Sequence, residues 1–266
     1  MQKEELQTFL PGNQKKLIFP SFPFLSFPLL LLFAIRKAVG DYVVAGDIGG
    51  TNARFECWQL GKGKEKELVL RKKYPTASFG TFIDALLQFE SDFKFEVGAD
   101  DFEKPKSAAF AAAGVVNAHK LCKMTNLNWT ISANEVQTKA RWRRARVLND
   151  FEAVGYGVLA LEDESAASNG EHHHLIHSAP VSPKEPKVVL GPGTGFGQAQ
   201  IFWNEKTENY KCFPSEGAHG DFAPRGPDQR ALSEFIEKQK GYCELEHVSI
   251  SAKLFLFPNF SRPIAL

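Results

Sequence analysis

The chain has 266 residues, of which 43% are hydrophobic, enough for one large domain or two modest ones with their own cores. Its formal net charge of +1 provides no global field that would favour nucleic acid or a membrane surface. The four cysteines are scattered, without a CxxC pair or a histidine at metal-binding spacing. We therefore expect reduced thiols of a cytoplasmic protein rather than a disulfide framework.

The first 40 residues differ in composition from the rest. An apolar run over 17–35 could be a leader or a membrane anchor, but three prolines interrupt it. Residues 19–33 are all Phe, Pro, Ser or Leu, which pyrimidine codons alone can encode. We expect residues 1–40 to be an artefact of the gene model, with a leader or anchor as the alternative.

From Tyr42 onward the pattern becomes regular. Short apolar runs predict strands at 42–46, 53–59, 68–74, 107–114, 145–148, 187–190 and 198–203. Apolar residues at helical spacing predict helices at 79–89, 151–161 and 228–238. The polar segment 162–186 is typical of a hinge or surface loop.

A glycine-rich turn follows the strand at 42–46. It comprises Gly46, Asp47, Ile48, Gly49, Gly50 and Thr51. Glycines at a strand end let the backbone turn tightly and bring N–H groups close to an anion. Asp47 is placed to hold a hydrated Mg²⁺ beside phosphates. A plain hairpin with an Asx turn is the alternative, but the full string favours phosphate binding.

A second glycine-rich turn spans 191–197 and includes Gly193, Thr194 and Gly195. It is not a Walker A loop, because no GK[ST] follows. It is also a poor dinucleotide fingerprint, since the GxGxxG spacing fails and a strand follows. Two such turns can bind the phosphate groups of one nucleotide from both sides.

Polar residues between and after the two turns are candidates for chemistry. Asp150 ends a predicted strand, where it can accept a proton from an attacking hydroxyl; a helix N-cap is the alternative. Asn149 beside it can bind sugar hydroxyls. Glu216 and His219 can bind vicinal hydroxyls, with a two-ligand metal site or a surface turn as the alternatives.

Five strings match, in order and spacing, those of the bacterial-type glucokinases. They are DIGGTNAR (47–54), TNLNW (125–129), LNDFEAV (148–154), GPGTGFG (191–197) and SEGAHGDFAPR (215–225). Residues 42–249 therefore resemble this family of the actin and hexokinase superfamily. The resemblance implies an α/β, actin-like ATPase (ribonuclease H-like) fold of two domains, and phosphorylation of glucose at its 6-hydroxyl by ATP with Mg²⁺.

By the same resemblance, Asp150 falls on the catalytic base, and Asn149, Glu216 and His219 fall on glucose ligands. Gly46 to Thr51 falls on the ATP phosphate loop. In the family a glutamate soon after the His-Val-Ser at 247–249 completes the sugar site; here residues 250–253 follow and lack it. We expect a domain at 41–160, the start of an incomplete second domain at 161–249, and a non-family tail at 250–266.

Four alternative hypotheses accompany this one. A truncated, catalytically impaired pseudo-kinase that only binds sugar is the alternative function. A kinase or repressor of the ROK type is disfavoured, because no cysteine-rich zinc motif follows His219. The arginines at 141–146 favour a solvated face over a nucleic-acid site. The histidines at 172–177 could bind a transition metal adventitiously, but their loop context disfavours a specific metal site. No stable membrane association is expected, and a homo-oligomer is left open.

Overall fold

The computed structural model describes residues 42–61, 66–98, 102–165, 183–193 and 195–249. The interpretations of residues 1–40, of the tail 250–266 and of the histidines at 172–177 lie outside the described residues, as does Thr194. Within these ranges no helix is both long enough and apolar enough to cross a membrane.

A five-stranded mixed sheet forms the first layer. Its strands are β1 (Tyr42–Ile48), β2 (Asn52–Leu60), β3 (Lys66–Pro75), β4 (Ser107–Ala112) and β8 (Arg144–Asn149). Their order is β3-β2-β1-β4-β8. β1, β2 and β3 pair antiparallel, whereas β4 runs parallel to both β1 and β8. This is the ribonuclease H-like arrangement implied by the resemblance, and the α/β fold class is confirmed.

One face of this sheet is covered by helix α1 (Phe82–Val97). Thr81 caps the helix: its hydroxyl accepts from the Asp84 N–H, while the Asp84 carboxylate accepts from the Thr81 N–H. Buried Phe89 and Phe93 continue the apolar stripe and pack with Phe55 of the sheet. The helix therefore begins after the predicted start at 79, because the Thr81 cap sets its first residue. It ends eight residues beyond the predicted end at 89, because the apolar stripe continues.

The other face is covered by helix α3 (Asp150–Ser165), which also contacts a second sheet. That sheet has the order β11-β10-β9 and comprises β9 (Lys187–Pro192), β10 (Phe196–Asn204) and β11 (Asn209–Ser215). At Gly155 of α3, an added Cβ would lie 3.1 Å from the Cys212 sulfur of β11. α3 thus lies between the two sheets, and the proposed boundary at 160/161 falls within it.

Several short elements were not predicted. They are β5 (Val116–Asn117), β6 (Leu121–Lys123), β7 (Thr130–Ser132) and α2 (Ala133–Glu135), which continues as a π-helical turn over Val136–Ala140. Trp142, within the arginine cluster, is buried in the first core. Helices α4 (Gly226–Lys240) and α5 (Leu245–Ser249) follow the second sheet. These strands are only two or three residues long, which is too short to show an alternating pattern.

Candidate functional site

The first glycine turn joins β1 to β2. Asp47 pairs across the ladder with Arg54, whose Nη1 lies 2.8 Å from the Asp47 carboxylate oxygen. Burial raises the pKa of Asp47, while the charge and hydrogen bond of Arg54 act in the opposite direction. The carboxylate is therefore held at the strand end by one cation.

Close packing explains the glycine at position 46. A Cβ at Gly46 would lie 2.6 Å from the Phe110 ring, so no larger residue fits beneath the turn. The Gly49 N–H donates to the Asn52 carbonyl at 3.0 Å and closes the turn. A Cβ at Gly50 would lie 3.4 Å from the Asn126 Cβ, which brings the TNLNW segment against the turn.

Asn149 and Asp150 lie at the junction of β8 and α3. The Asn149 side-chain oxygen accepts from the N–H groups of Phe151 (2.9 Å) and Glu152 (3.3 Å) and thereby caps α3. Its amide nitrogen donates to the Gly114 carbonyl at 3.4 Å. Asp150 is the first helical residue. The cap considered for Asp150 is therefore supplied by its neighbour, although Asp150 also accepts from the Phe151 N–H at 2.9 Å.

Sheet register places Asp150 at the edge where the first glycine turn lies. Ala112, the last residue of β4, pairs with the last residue of β1 on one side and with the last residue of β8 on the other. Burial raises the pKa of Asp150, and the charges of Asp47 and Glu216 act in the same direction, against hydrogen bonds from the backbone. The turn after β1 and the start of α3 therefore lie at one edge of the first sheet.

The second glycine turn is packed on the residue next to Asp150. A Cβ at Gly197 would lie 1.8 Å from the Phe151 ring, and one at Gly191 would lie 2.4 Å from it. Only glycine at these two positions admits the ring. Within the turn, the Gly193 N–H donates to the Gly195 carbonyl at 2.8 Å. Phe151 thus brings the second glycine turn next to Asp150.

His219 lies among carboxylates in the segment after β11. Its Nδ1 lies 3.0 Å from Glu244 and its Nε2 lies 3.7 Å from Glu216. The hydrogen bond with Glu244 raises the pKa of His219, and the charges of Glu246 and Glu216 add to that effect. The structure therefore brings together the predicted pair and two further glutamates.

Sequence analysis missed Glu244 and Glu246. Glu246 accepts from the Phe196 N–H at 3.0 Å, so its carboxylate lies against the second glycine turn. The expected glutamate was sought after Ser249, whereas this carboxylate precedes His247. The Glu-x-Glu spacing entering α5 is the only local signal. Among the described residues, no group of three or more His, Cys, Asp or Glu side chains is arranged to hold a metal ion.

Comparison with protein families gives a match to the glucokinase family model over residues 44–253. The chain belongs to the glucokinase family. Among curated relatives, the glucokinase of Synechocystis sp. is 34% identical over 234 residues, covering 85% of this chain and 62% of the relative. The glucokinase of Chelativorans sp. is 32% identical over 223 residues, covering 84% and 58%. This family member thus spans about three fifths of the length of these relatives.

Solved structures agree with this family and fold. A glucokinase from an Antarctic psychrotroph is 27% identical with a TM-score of 0.63, covering 80% of this chain and 62% of that one. A glucokinase from Balamuthia mandrillaris, solved in complex with glucose, is 20% identical with a TM-score of 0.60, covering 86% and 64%. The glucokinase family chain therefore shares the fold of these enzymes over most of its described length.

Proposed function

We propose that this chain carries the glucose site and the phosphate-binding turns of a glucokinase, which transfers the γ-phosphoryl group of ATP to the 6-hydroxyl of D-glucose. The observation that carries the proposal is the position of Asp150, directly after β8 at the sheet edge where β1 leads into the first glycine turn. The charges of Asp47 in that turn and of Glu216 in the sugar-side cluster also raise the pKa of Asp150. A base located between phosphate-binding and hydroxyl-binding groups is what phosphoryl transfer requires.

Asp150 is the proposed base. It accepts the proton of the glucose 6-hydroxyl as that oxygen attacks the γ-phosphorus, and the bond from the γ-phosphorus to the bridging oxygen breaks to release ADP. Burial and the neighbouring carboxylates raise its pKa, which strengthens it as a base. Its place at the first turn of α3 fixes it against the sheet.

The proposed glucose ligands are Asn149, Asp150, Glu216 and His219. Carboxylate and imidazole groups at 3.7 Å can bind two adjacent hydroxyls at once. Glu246 joins the proposed set, because it raises the pKa of His219 and contacts the second glycine turn. It is therefore placed between the sugar-side cluster and the phosphate side.

The proposed phosphate-binding segments are Gly46 to Thr51 and Gly193 to Gly195. The N–H groups of Gly49 and Gly193 close the two turns, so other backbone N–H groups of these segments are the proposed phosphate donors. The donor chemistry near the first turn fits Mg²⁺, since Asp47 offers a carboxylate and hard cations prefer oxygen. Asp47 would hold the ion through water, and the ion would supply charge neutralisation on the phosphates when bound. The Arg54 contact keeps the Asp47 carboxylate in position for that role.

The proposed enzyme is cytoplasmic, and its two domains divide near residue 160. The four cysteines are all free and buried, which suits a reducing compartment. The two separate sheets support two domains, 41–160 and 161–249, with α3 shared between them at the boundary. Glucose and ATP are the proposed partners.

A coupled assay of glucose 6-phosphate formation tests the function. Asp150→Asn should lower kcat by about a hundredfold or more, because the amide cannot accept the proton. Glucose affinity should change much less, since the amide keeps its size and hydrogen-bonding capacity. Asp92→Asn, on α1, is the matched control and should keep the wild-type rate.

Two outcomes would count against the proposal. Full activity of Asp150→Asn would remove the base assignment. A wild-type chain that binds glucose without turnover would favour the sugar-binding pseudo-kinase instead.

A further inference from the structure

Thr76 is a buried threonine whose hydroxyl and N–H both donate to the first glycine turn. It follows β3, opens a short 3-10 turn over Thr76–Ser78, and is 2% exposed. Its hydroxyl donates to the Gly50 carbonyl at 2.7 Å, and its N–H donates to the Thr51 carbonyl at 3.0 Å. One residue therefore fixes two consecutive carbonyls of the turn.

The direction of these carbonyls sets the direction of the neighbouring N–H groups. In a planar trans peptide, the C=O and the following N–H point to opposite sides. The N–H groups of Thr51 and Asn52 therefore point away from Thr76.

The turn contacts Thr76 on one side and solvent on the other. Gly50 and Thr51 are exposed, although Thr76, which donates to their carbonyls, is buried. A turn rich in glycine has many accessible conformations, and ordering it on binding would cost entropy. A fixed donor pair removes part of that cost before a ligand arrives.

We propose that Thr76 is a positioning residue that holds the first glycine turn in its phosphate-binding conformation. It acts through the carbonyls of Gly50 and Thr51 and does not itself touch the ligand. This inference rests on the proposed function, in which the N–H groups of that turn bind the phosphates of ATP. It predicts that the Thr76 hydroxyl contributes to phosphate affinity but not to glucose affinity.

The test compares Thr76→Val with Thr76→Ser in the full chain. Valine keeps the shape and removes the hydroxyl donor, whereas serine keeps the donor. Calorimetric titration with inorganic triphosphate should show about five- to tenfold weaker binding for Thr76→Val, the effect of one lost hydrogen bond. Thr76→Ser should restore most of the affinity, and glucose affinity should stay within about twofold in both variants.

A second readout measures the turn without a ligand. Backbone order parameters of the Thr51 and Asn52 amides should fall in Thr76→Val and recover in Thr76→Ser. Thr81→Val is the matched control. It removes the α1 cap and lowers stability, but it should leave the triphosphate affinity and both order parameters unchanged.

The outcomes separate this inference from the proposed function. If the wild type binds triphosphate and Thr76→Val binds it equally tightly, the positioning role alone is refuted. A wild-type chain that does not bind triphosphate would refute the phosphate-binding role of the turn, and this inference with it. Equal losses for triphosphate and glucose in Thr76→Val would show a general structural role and also overturn the inference.

Discussion

Glu152 is a buried carboxyl in the first turn of α3, two residues after Asp150. Its side chain is 2% exposed, and its Oε1 lies 3.6 Å from the Nδ1 of His119. Among the described residues, that oxygen has no hydrogen-bond partner. Burial raises the pKa of Glu152 to about 7, against the charge of Arg146 and a hydrogen bond with Asn149.

This shift makes the stability of the protein fall as pH rises. The folded state retains the Glu152 proton up to about pH 7, whereas the unfolded chain releases it near 4.5. Between these values the folded state binds more protons, so the free energy of unfolding decreases with pH. The difference of about 2.5 pKa units corresponds to about 3 kcal/mol at 1.36 kcal/mol each.

Glu152→Gln should remove the loss of stability that the Glu152 titration causes as pH rises, because glutamine has the same shape and carries no charge at any pH. The free energy of unfolding of the variant minus that of the wild type should rise by about 2 to 3 kcal/mol between pH 5 and pH 8. Urea unfolding curves at four pH values across this range measure the difference. Because His119 lies 3.6 Å from Glu152 and its protonation depends on the charge there, both proteins are compared in a His119→Gln background.

Glu205→Gln is the matched control, since that side chain is 74% exposed. Its stability difference from the wild type should stay constant with pH. A difference for Glu152→Gln that is equally flat would refute the reasoning. So would a wild type that becomes more stable than the variant as pH rises, since Glu152 would then be stabilised as a carboxylate.

Two further predictions concern packing. Gly197→Ala should lower the free energy of unfolding, measured in urea, by roughly 2 kcal/mol, because the new Cβ would lie 1.8 Å from the Phe151 ring. Adding Phe151→Leu should recover part of this stability. An unchanged stability of Gly197→Ala would contradict the packing. The four free cysteines are all buried, and burial raises the pKa of each. A thiol reagent should therefore label them slowly in the native protein and all four in denaturant, whereas fast native labelling would contradict this burial.

Local sequence determined the elements with a strong period or a distinctive turn. The turn at 46–51 needs glycine where Phe110 approaches, and the apolar strands that flank it were predicted within one or two residues. The start of α1 was missed, since the effect of Thr81 depends on Asp84 reaching back to it. The family was also accessible from sequence, because its motifs lie in the turns that carry the polar groups.

Only the tertiary structure decided which of these groups meet. Asp47 and Asp150 are separated by a long stretch of sequence, and parallel pairing through β4 brings the ends of β1 and β8 to one sheet edge. The same holds for Glu246 at the second glycine turn and for Thr76 beneath the first. The physical reason is that the hydrophobic period of a segment indicates which of its faces is buried. The residues that this face contacts depend on how sheets and helices pack.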